Sequence, residues 1–209
     1  MKITSLPKIV AGIDLNDREM RGALQGMKEA IPNDSQLTFA ILEQEGEIQF
    51  PVYKNGLQGA SKHIAIIRDR LLKALKGTQG IGEITYIYNP CNSITMQEDI
   101  QLREDGEIQV TNWHIDSHGD FFFCSFGDIA SIEMLEGTLE LKATKLDSED
   151  ETFARELLEK ATAAEKDRSM KMIAIPDGNI CYIDRVNIHR RGLCRKEGAR
   201  HTFLIDKLV

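Results

Sequence analysis

From about residue 81 onward the chain is a succession of short β-type runs separated by turn signals, and this rhythm restricts the fold more than any other feature. The runs are Glu83–Tyr88, Ile108–Ile115, Phe121–Ser125, Gly137–Lys142, Lys171–Ile175, Ile180–Ile183 and His201–Ile205. Between them stand Asp105-Gly106, His118-Gly119 and Pro176-Asp177-Gly178-Asn179, which favour tight turns. Short strands at this spacing predict a sandwich or barrel. One helix interrupts them: Ser148-Glu-Asp-Glu151 has capping-box spacing and opens a segment rich in Ala, Leu, Glu and Lys that lasts to about Lys166.

The first eighty residues have a different character. A helix is expected from near Asp14 through Met20, Leu24 and Met27, stopping before Pro32. A second runs from about Ala60 to Leu75, with Ile64, Ile67, Leu71 and Leu75 on one stripe and Gly77 placed to end it. Leu37–Leu42 and Glu47–Tyr53 read as strands around Glu45-Gly46. No repeat or linker divides the chain, so 209 residues are expected to form a single domain. Residues 1–80 would support an 81–209 β-core, with the helical insertion at about 148–168.

A net charge of −7 and pI ≈ 5.3 argue against holding duplex nucleic acid by charge. No apolar run approaches the ~20 residues that span a bilayer. The N-terminal stretch, cut by Asp14, Asp17, Arg18 and Glu19, does not read as a secretory signal. Cys91, Cys124, Cys181 and Cys194 are scattered without a C-x-x-C, so reduced thiols in a cytoplasmic protein are expected.

The stretch that carries chemistry is Asn112-Trp113-His114-Ile115-Asp116. On a strand, residues i and i+2 share a face, so His114 and Asp116 project together while Ile115 turns away. An imidazole and a carboxylate so placed are two thirds of a 2-His-1-carboxylate facial triad, which leaves adjacent positions open on a non-haem Fe(II). The motif is weak alone. With five His and fifteen Asp in the chain, an H-x-D arises by chance roughly a third of the time.

The C-terminal segment adds weight. His189 follows a hairpin signal and can supply a third ligand from another strand. Arg200 and Thr202 follow on a run that reads as a strand, so guanidinium and hydroxyl share a face. Such a pair suits a carboxylate, because the planar fork donates two parallel charge-assisted hydrogen bonds.

In order, W-H-x-D, then Gly137-Thr-Leu-Glu-Leu141, then Pro176-Asp-Gly178, then His189 and R-x-T resemble the Fe(II)- and 2-oxoglutarate-dependent dioxygenases over residues 84–206. The resemblance implies a mainly β fold with flanking helices (α+β), its core a double-stranded β-helix or jelly roll. It implies that His114, Asp116 and His189 bind Fe(II), and that Arg200 and Thr202 hold the distal carboxylate of 2-oxoglutarate. With O2 as the other co-substrate, a peptide side chain or small molecule would be hydroxylated, releasing succinate and CO2. Many members have an upstream Tyr or Asn that touches the co-substrate. Tyr86, Tyr88 and Asn112 are the possibilities, and Tyr88 is carried forward as the co-substrate contact. The alternative is a non-catalytic cupin-like protein binding a metal or small ligand, with Arg200 structural.

The remaining candidates are weaker. His114 and His118 would lie ~13 Å apart along a strand, too far to share an ion. On a helix they could bind zinc, but Trp113, Ile115 and Phe121–Phe123 favour strand. His63 and His201 read as structural, and Phe121–Phe123 as core. Arg190, Arg191, Arg195 and Lys196 form either a solvated loop or a patch that draws anions to the metal. The 148–168 helix reads as a surface cover, with a lid as the alternative.

Overall fold

The computed structural model describes residues 1–31, 38–42, 48–49, 58–91, 93–106, 109–116, 120–127, 132–147, 149–193 and 197–207. Its strands are β1 (Lys2–Ser5), β2 (Lys8–Gly12), β3 (Thr38–Leu42), β4 (Ile48–Gln49), β5 (Ile81–Cys91), β6 (Phe121–Gly127), β7 (Ile132–Glu140), β8 (Lys171–Ala174), β9 (Asn179–Ile183), β10 (His189–Arg191) and β11 (Gly198–Lys207). Its helices are α1 (Arg18–Ala30), α2 (Ser61–Ala74), α3 (Ser93–Glu104) and α4 (Glu151–Lys166). The strands form two antiparallel sheets. The larger has the order β2-β9-β6-β11-β5-β3-β4; in the smaller, β7 pairs with β1, β8 and β10.

Strand alternation builds the layers. On β6, Phe122, Cys124 and Phe126 join Phe203 and Ile205 of β11 in a core shared with Met20, Ala23 and Met27 of α1 and Ile64, Ile67 and Leu71 of α2. The intervening Phe123, with Cys181 and Ile183 of β9, packs against Ile132 and Met134 of β7, between the two sheets. Both faces of β6 are therefore covered, which is why Phe121-Phe-Phe-Cys-Ser-Phe126 lacks a polar alternation. The outer face of the smaller sheet is closed by Phe153, Leu157, Leu158 and Ala161 of α4, packed with Trp113, Leu135 and Ile188.

α1, α2 and α4 lie where the apolar stripes place them, with refined ends. The N-cap of α1 is Asp17, whose carboxylate accepts from the Glu19 and Met20 amides. The N-cap of α4 is Asp150, accepting from Thr152 and Phe153 (2.8 and 3.1 Å), rather than Ser148, which lies outside the described residues. Three expectations change. Residues 109–113 form a turn, with Asn112 N–H on Gln109 O at 2.8 Å, so within the expected Ile108–Ile115 strand, of which Ile108 lies outside the described residues, 109–115 make one bridge, at His114. Neighbouring groups take the backbone instead: Arg103 Nε donates to Thr111 O and the Arg191 N–H to Val110 O. The N-terminal region contributes β1 to one sheet and β2–β4 to the other, so it does more than brace the core. Helix α3 had no counterpart in the sequence pattern.

Cys91 is disulfide-bonded, contrary to the expected reduced thiols. Cys124 and Cys181 are free and buried, and burial pushes their thiols up to about 12 and about 11. No helix among the described residues is long and apolar enough to cross a membrane.

Candidate metal centre

The backbone brings two distant segments of the chain together. His114 and His189 form an antiparallel bridge in which each N–H donates to the other's carbonyl at 2.9 Å. Residues paired this way point to the same face, and the two imidazole centroids are 4.4 Å apart. Asp116, two residues beyond His114 in extended chain, swings its carboxylate between them: Oδ1 lies 3.5 Å from His114 Nε2 and Oδ2 lies 3.2 Å from His189 Nε2. One ligand atom from each of the three residues falls within 4.8 Å of the others.

The hydrogen bonds behind the rings fix what the front presents. His114 Nδ1 donates to Asn112 O (2.8 Å) and His189 Nδ1 to Asn187 O (3.0 Å), the carbonyl two residues upstream in each case. With Nδ1 protonated, a neutral ring turns the Nε2 lone pair toward Asp116. Two lone pairs and a carboxylate around one point need either an added proton on each ring or a shared cation. Burial alone would raise the Asp116 carboxyl; the contacts from His114 and His189 outweigh it and hold the group well below the usual carboxylate range. The donor set therefore fits Fe(II), with the oriented His–carbonyl pairs that metal-binding imidazoles use. The His189 side chain is 5% exposed and that of Asp116 33%, so the cluster is walled on one side and open on the other.

A second set of charges braces the ligands from behind. Trp113 and Arg190, the neighbours of the two histidines, turn to the opposite face, where the guanidinium lies 3.9 Å from the indole centroid. Arg190 Nε donates to Glu133 at 2.6 Å, its two Nη atoms donate to Glu165 at 2.9 and 2.7 Å, and Trp113 Nε1 donates to the same Glu165 at 2.8 Å. Arg190 is thus neither a solvated loop residue nor an anion-attracting patch. Arg191 faces the other way and pairs with Asp99 of α3, while Arg195 and Lys196 lie outside the described residues. Since Glu165 belongs to α4, this helix is a fixed cover tied into the brace.

Arg200 and Thr202 lie on β11 in the larger sheet, both buried. They share the face opposite His201 and Phe203, which pack with Tyr86 and Phe126 toward the helices. Thr202 Oγ1 is buried with no hydrogen-bond partner among the described residues. Burial lowers the Arg200 guanidinium, Arg191 lowers it further, and Asp99 and Asp177 oppose them, leaving a pKa of about 10. At pH 7 it is still a cation.

Tyr88 departs from expectation. It is paired in register with His201, not with Arg200, and its ring packs 5.5 Å from the His201 ring in the helix-side core. Tyr86 lies on that face too, its hydroxyl 2.8 Å from His201 Nδ1. The β5 residues opposite Arg200 and Thr202 are Asn89 and Ile87. Asn112 anchors the turn through Leu102 O and holds His114 through its own carbonyl. His63 packs beside Gly26 of α1 as a structural residue, and His118 lies outside the described residues. The sequence reading missed Asn187, whose carbonyl aims His189, and the Glu133–Glu165 brace.

Gly127 sits opposite Arg200 with φ +140°, and a Cβ there would fall 2.2 Å from Ala199 O. Gly127→Ala is expected to displace β11 beside Arg200 and to cost about 2 kcal/mol, measurable by denaturant unfolding.

No protein-family model matches the sequence, and no curated protein matches it. Among solved structures the chain is similar to IDO from Bacillus thuringiensis, at 10% identity over 91% of this chain and 86% of that one, with TM-score 0.42. It is also similar to an oxidoreductase of the 2OG-Fe(II) oxygenase family from Burkholderia pseudomallei, at 8% identity over 90% and 79% of the two chains and TM-score 0.40. A third likeness is to the ribosomal oxygenase YcfD of Escherichia coli, at 11% identity, covering 97% of this chain but 48% of that one, with TM-score 0.35.

Proposed function

We propose that the chain is an Fe(II)- and 2-oxoglutarate-dependent dioxygenase with a double-stranded β-helix core, oxidising a small molecule or peptide side chain. The observation that carries this reading is the convergence of His114 Nε2, His189 Nε2 and the Asp116 carboxylate, with both Nδ1 atoms held by carbonyls. These three residues would hold the metal. Bound there, Fe(II) would supply the activation of O2 that couples decarboxylation of 2-oxoglutarate to oxidation of a substrate C–H bond.

The chain's own part is binding and orientation. Arg200 takes the distal carboxylate of 2-oxoglutarate with its planar fork, and the Thr202 hydroxyl, which has no hydrogen-bond partner among the described residues, adds a third hydrogen bond. Arg200 and Thr202 are both buried, so a carboxylate paired with Arg200 there would be held more strongly than in bulk solvent. The His–carbonyl bonds keep the imidazoles from turning when co-substrate enters.

The test is calorimetric titration of the metal-reconstituted protein with 2-oxoglutarate, followed by assay of succinate. The reading expects binding that requires Fe(II), and succinate release on admission of O2. Metal binding without affinity for 2-oxoglutarate would favour the cupin-like binder. Arg200→Ala is expected to raise the apparent KM for 2-oxoglutarate roughly a hundredfold, equivalent to about 3 kcal/mol for two charge-assisted bonds, with a smaller change in kcat. An unchanged KM would place the co-substrate elsewhere.

A further inference from the structure

Helix α3 buries a single residue, and it is a carboxylate. Asp99 is 3% exposed, whereas Ile94 and Ile100 of the same helix are 64% and 45% exposed, so apolar burial does not account for the way α3 sits. Asp99 Oδ1 accepts from Arg191 Nη2. Its Oδ2 is buried with no hydrogen-bond partner among the described residues. Leaving a buried acceptor unsatisfied costs about 1–3 kcal/mol, more for a charged one.

Arg191 is the other half. It stands two residues after His189 on β10 and shares its face, since Arg190 between them is held behind by Glu133 and Glu165. That places it ~6.6 Å along the strand from the metal ligand. Its side chain is 30% exposed, and Asp99 is the one acceptor of its guanidinium among the described residues. Arg103 locks the surroundings, donating to the carbonyls of both Thr111 and Arg191. Beside the candidate centre there is thus an opposite-charge pair at contact distance, with hydrogen-bonding capacity left on both members.

We infer that Asp99 and Arg191 form the substrate subsite of the candidate centre and select a free α-amino acid, its carboxylate on the Arg191 fork and its ammonium on Asp99 Oδ2. The role as a substrate subsite rests on the oxygenase reading; the binding chemistry does not. A carboxylic acid would need the arginine alone, and an amine the aspartate alone. Because the two protein charges touch, the ligand must carry its own two charges on one carbon, which excludes long ω-amino acids. The two-residue interval between Arg191 and His189 sets the distance of the bound α-carbon from the metal position at several ångströms.

The experiment is calorimetric titration of the full chain with each of the common L-amino acids, without metal and with Fe(II) and 2-oxoglutarate under anaerobic conditions. The tightest ligand is then compared with its amine and its 2-hydroxy acid. The expected result is binding of an L-amino acid, with each truncated analogue at least about tenfold weaker. Asp99→Asn and Arg191→Gln should each weaken amino-acid binding by at least about tenfold, and by clearly more than they change 2-oxoglutarate affinity through their charge on Arg200. Asn keeps the shape of Asp99, and Arg191→Gln at a partly exposed site gives an independent answer if the first variant fails to fold. The proposal is overturned if no L-amino acid binds at millimolar concentration, if the analogues bind equally well, or if the variants bind as the unsubstituted chain does. It is also overturned if Arg191→Gln chiefly loses 2-oxoglutarate, because Arg191 would then belong to the co-substrate site. Amino-acid binding that depends on both residues in a chain indifferent to Fe(II) and 2-oxoglutarate would sink the oxygenase reading and leave the subsite standing.

Discussion

Asp116→Ala is expected to remove tight Fe(II) binding and, with it, all 2-oxoglutarate-dependent succinate formation. The carboxylate is the one anionic donor in the cluster and lies within 3.5 Å of both imidazole Nε2 atoms. Without it the site offers two neutral nitrogens, and the loss should exceed the 10–100-fold that changes to the outer partners of metal ligands cause. Asp116→Asn separates charge from shape, since it keeps an oxygen in place but cannot match a carboxylate as a donor to Fe(II). Both variants should keep the secondary structure, because the His114–His189 bridge is made by the backbone. Fe(II) titration followed by succinate assay checks this. Turnover at the level of the unsubstituted chain would remove Asp116 from the mechanism.

The second large effect is on stability. Arg190→Ala is expected to lower it by about 3–5 kcal/mol, because breaking a buried pair leaves an uncompensated charge behind. Glu133 is 4% exposed, and after the substitution its remaining cation would be Arg103, at 3.4 Å. Glu165 would lose its bidentate partner, and Trp113 the guanidinium over its ring. For a domain of this size the melting temperature should fall by roughly 10 °C. Because Trp113 and Arg190 flank the two histidines in sequence, Fe(II) affinity should fall as well, by about tenfold. Arg190→Lys should recover part of the stability, since an ammonium cannot fork between Glu133 and Glu165. Thermal melting shows the effect directly; an unchanged midpoint would mean that the brace contributes nothing.

What could be read from the sequence follows from which interactions are periodic. α1, α2 and α4 bury apolar stripes at helical spacing and were visible for that reason. α3 was invisible because its sole buried residue is Asp99, which no hydrophobic pattern marks. His114, Asp116 and His189 were legible as an ordered set of residue types, although the strand expected to carry the first two is a single bridge. The placement of Arg200 and Thr202 on one face followed from the two-residue period of a strand. Tyr88 was misjudged because its face depends on the pairing of β5 with β11: register sets it opposite His201, and one residue of slip would have reversed it. Arg190 and Arg191 read as one basic patch, yet the pleat of β10 sends them to opposite faces and different carboxylates. Cys91 was misread because spacing along the chain carries no information on which thiols meet in space.

The most direct measurement is anomalous diffraction from crystals grown anaerobically with Fe(II). One strong iron peak is expected within bonding distance of His114 Nε2, His189 Nε2 and an Asp116 carboxylate oxygen. An iron peak on other residues, or no peak at this cluster at saturating Fe(II), would contradict it.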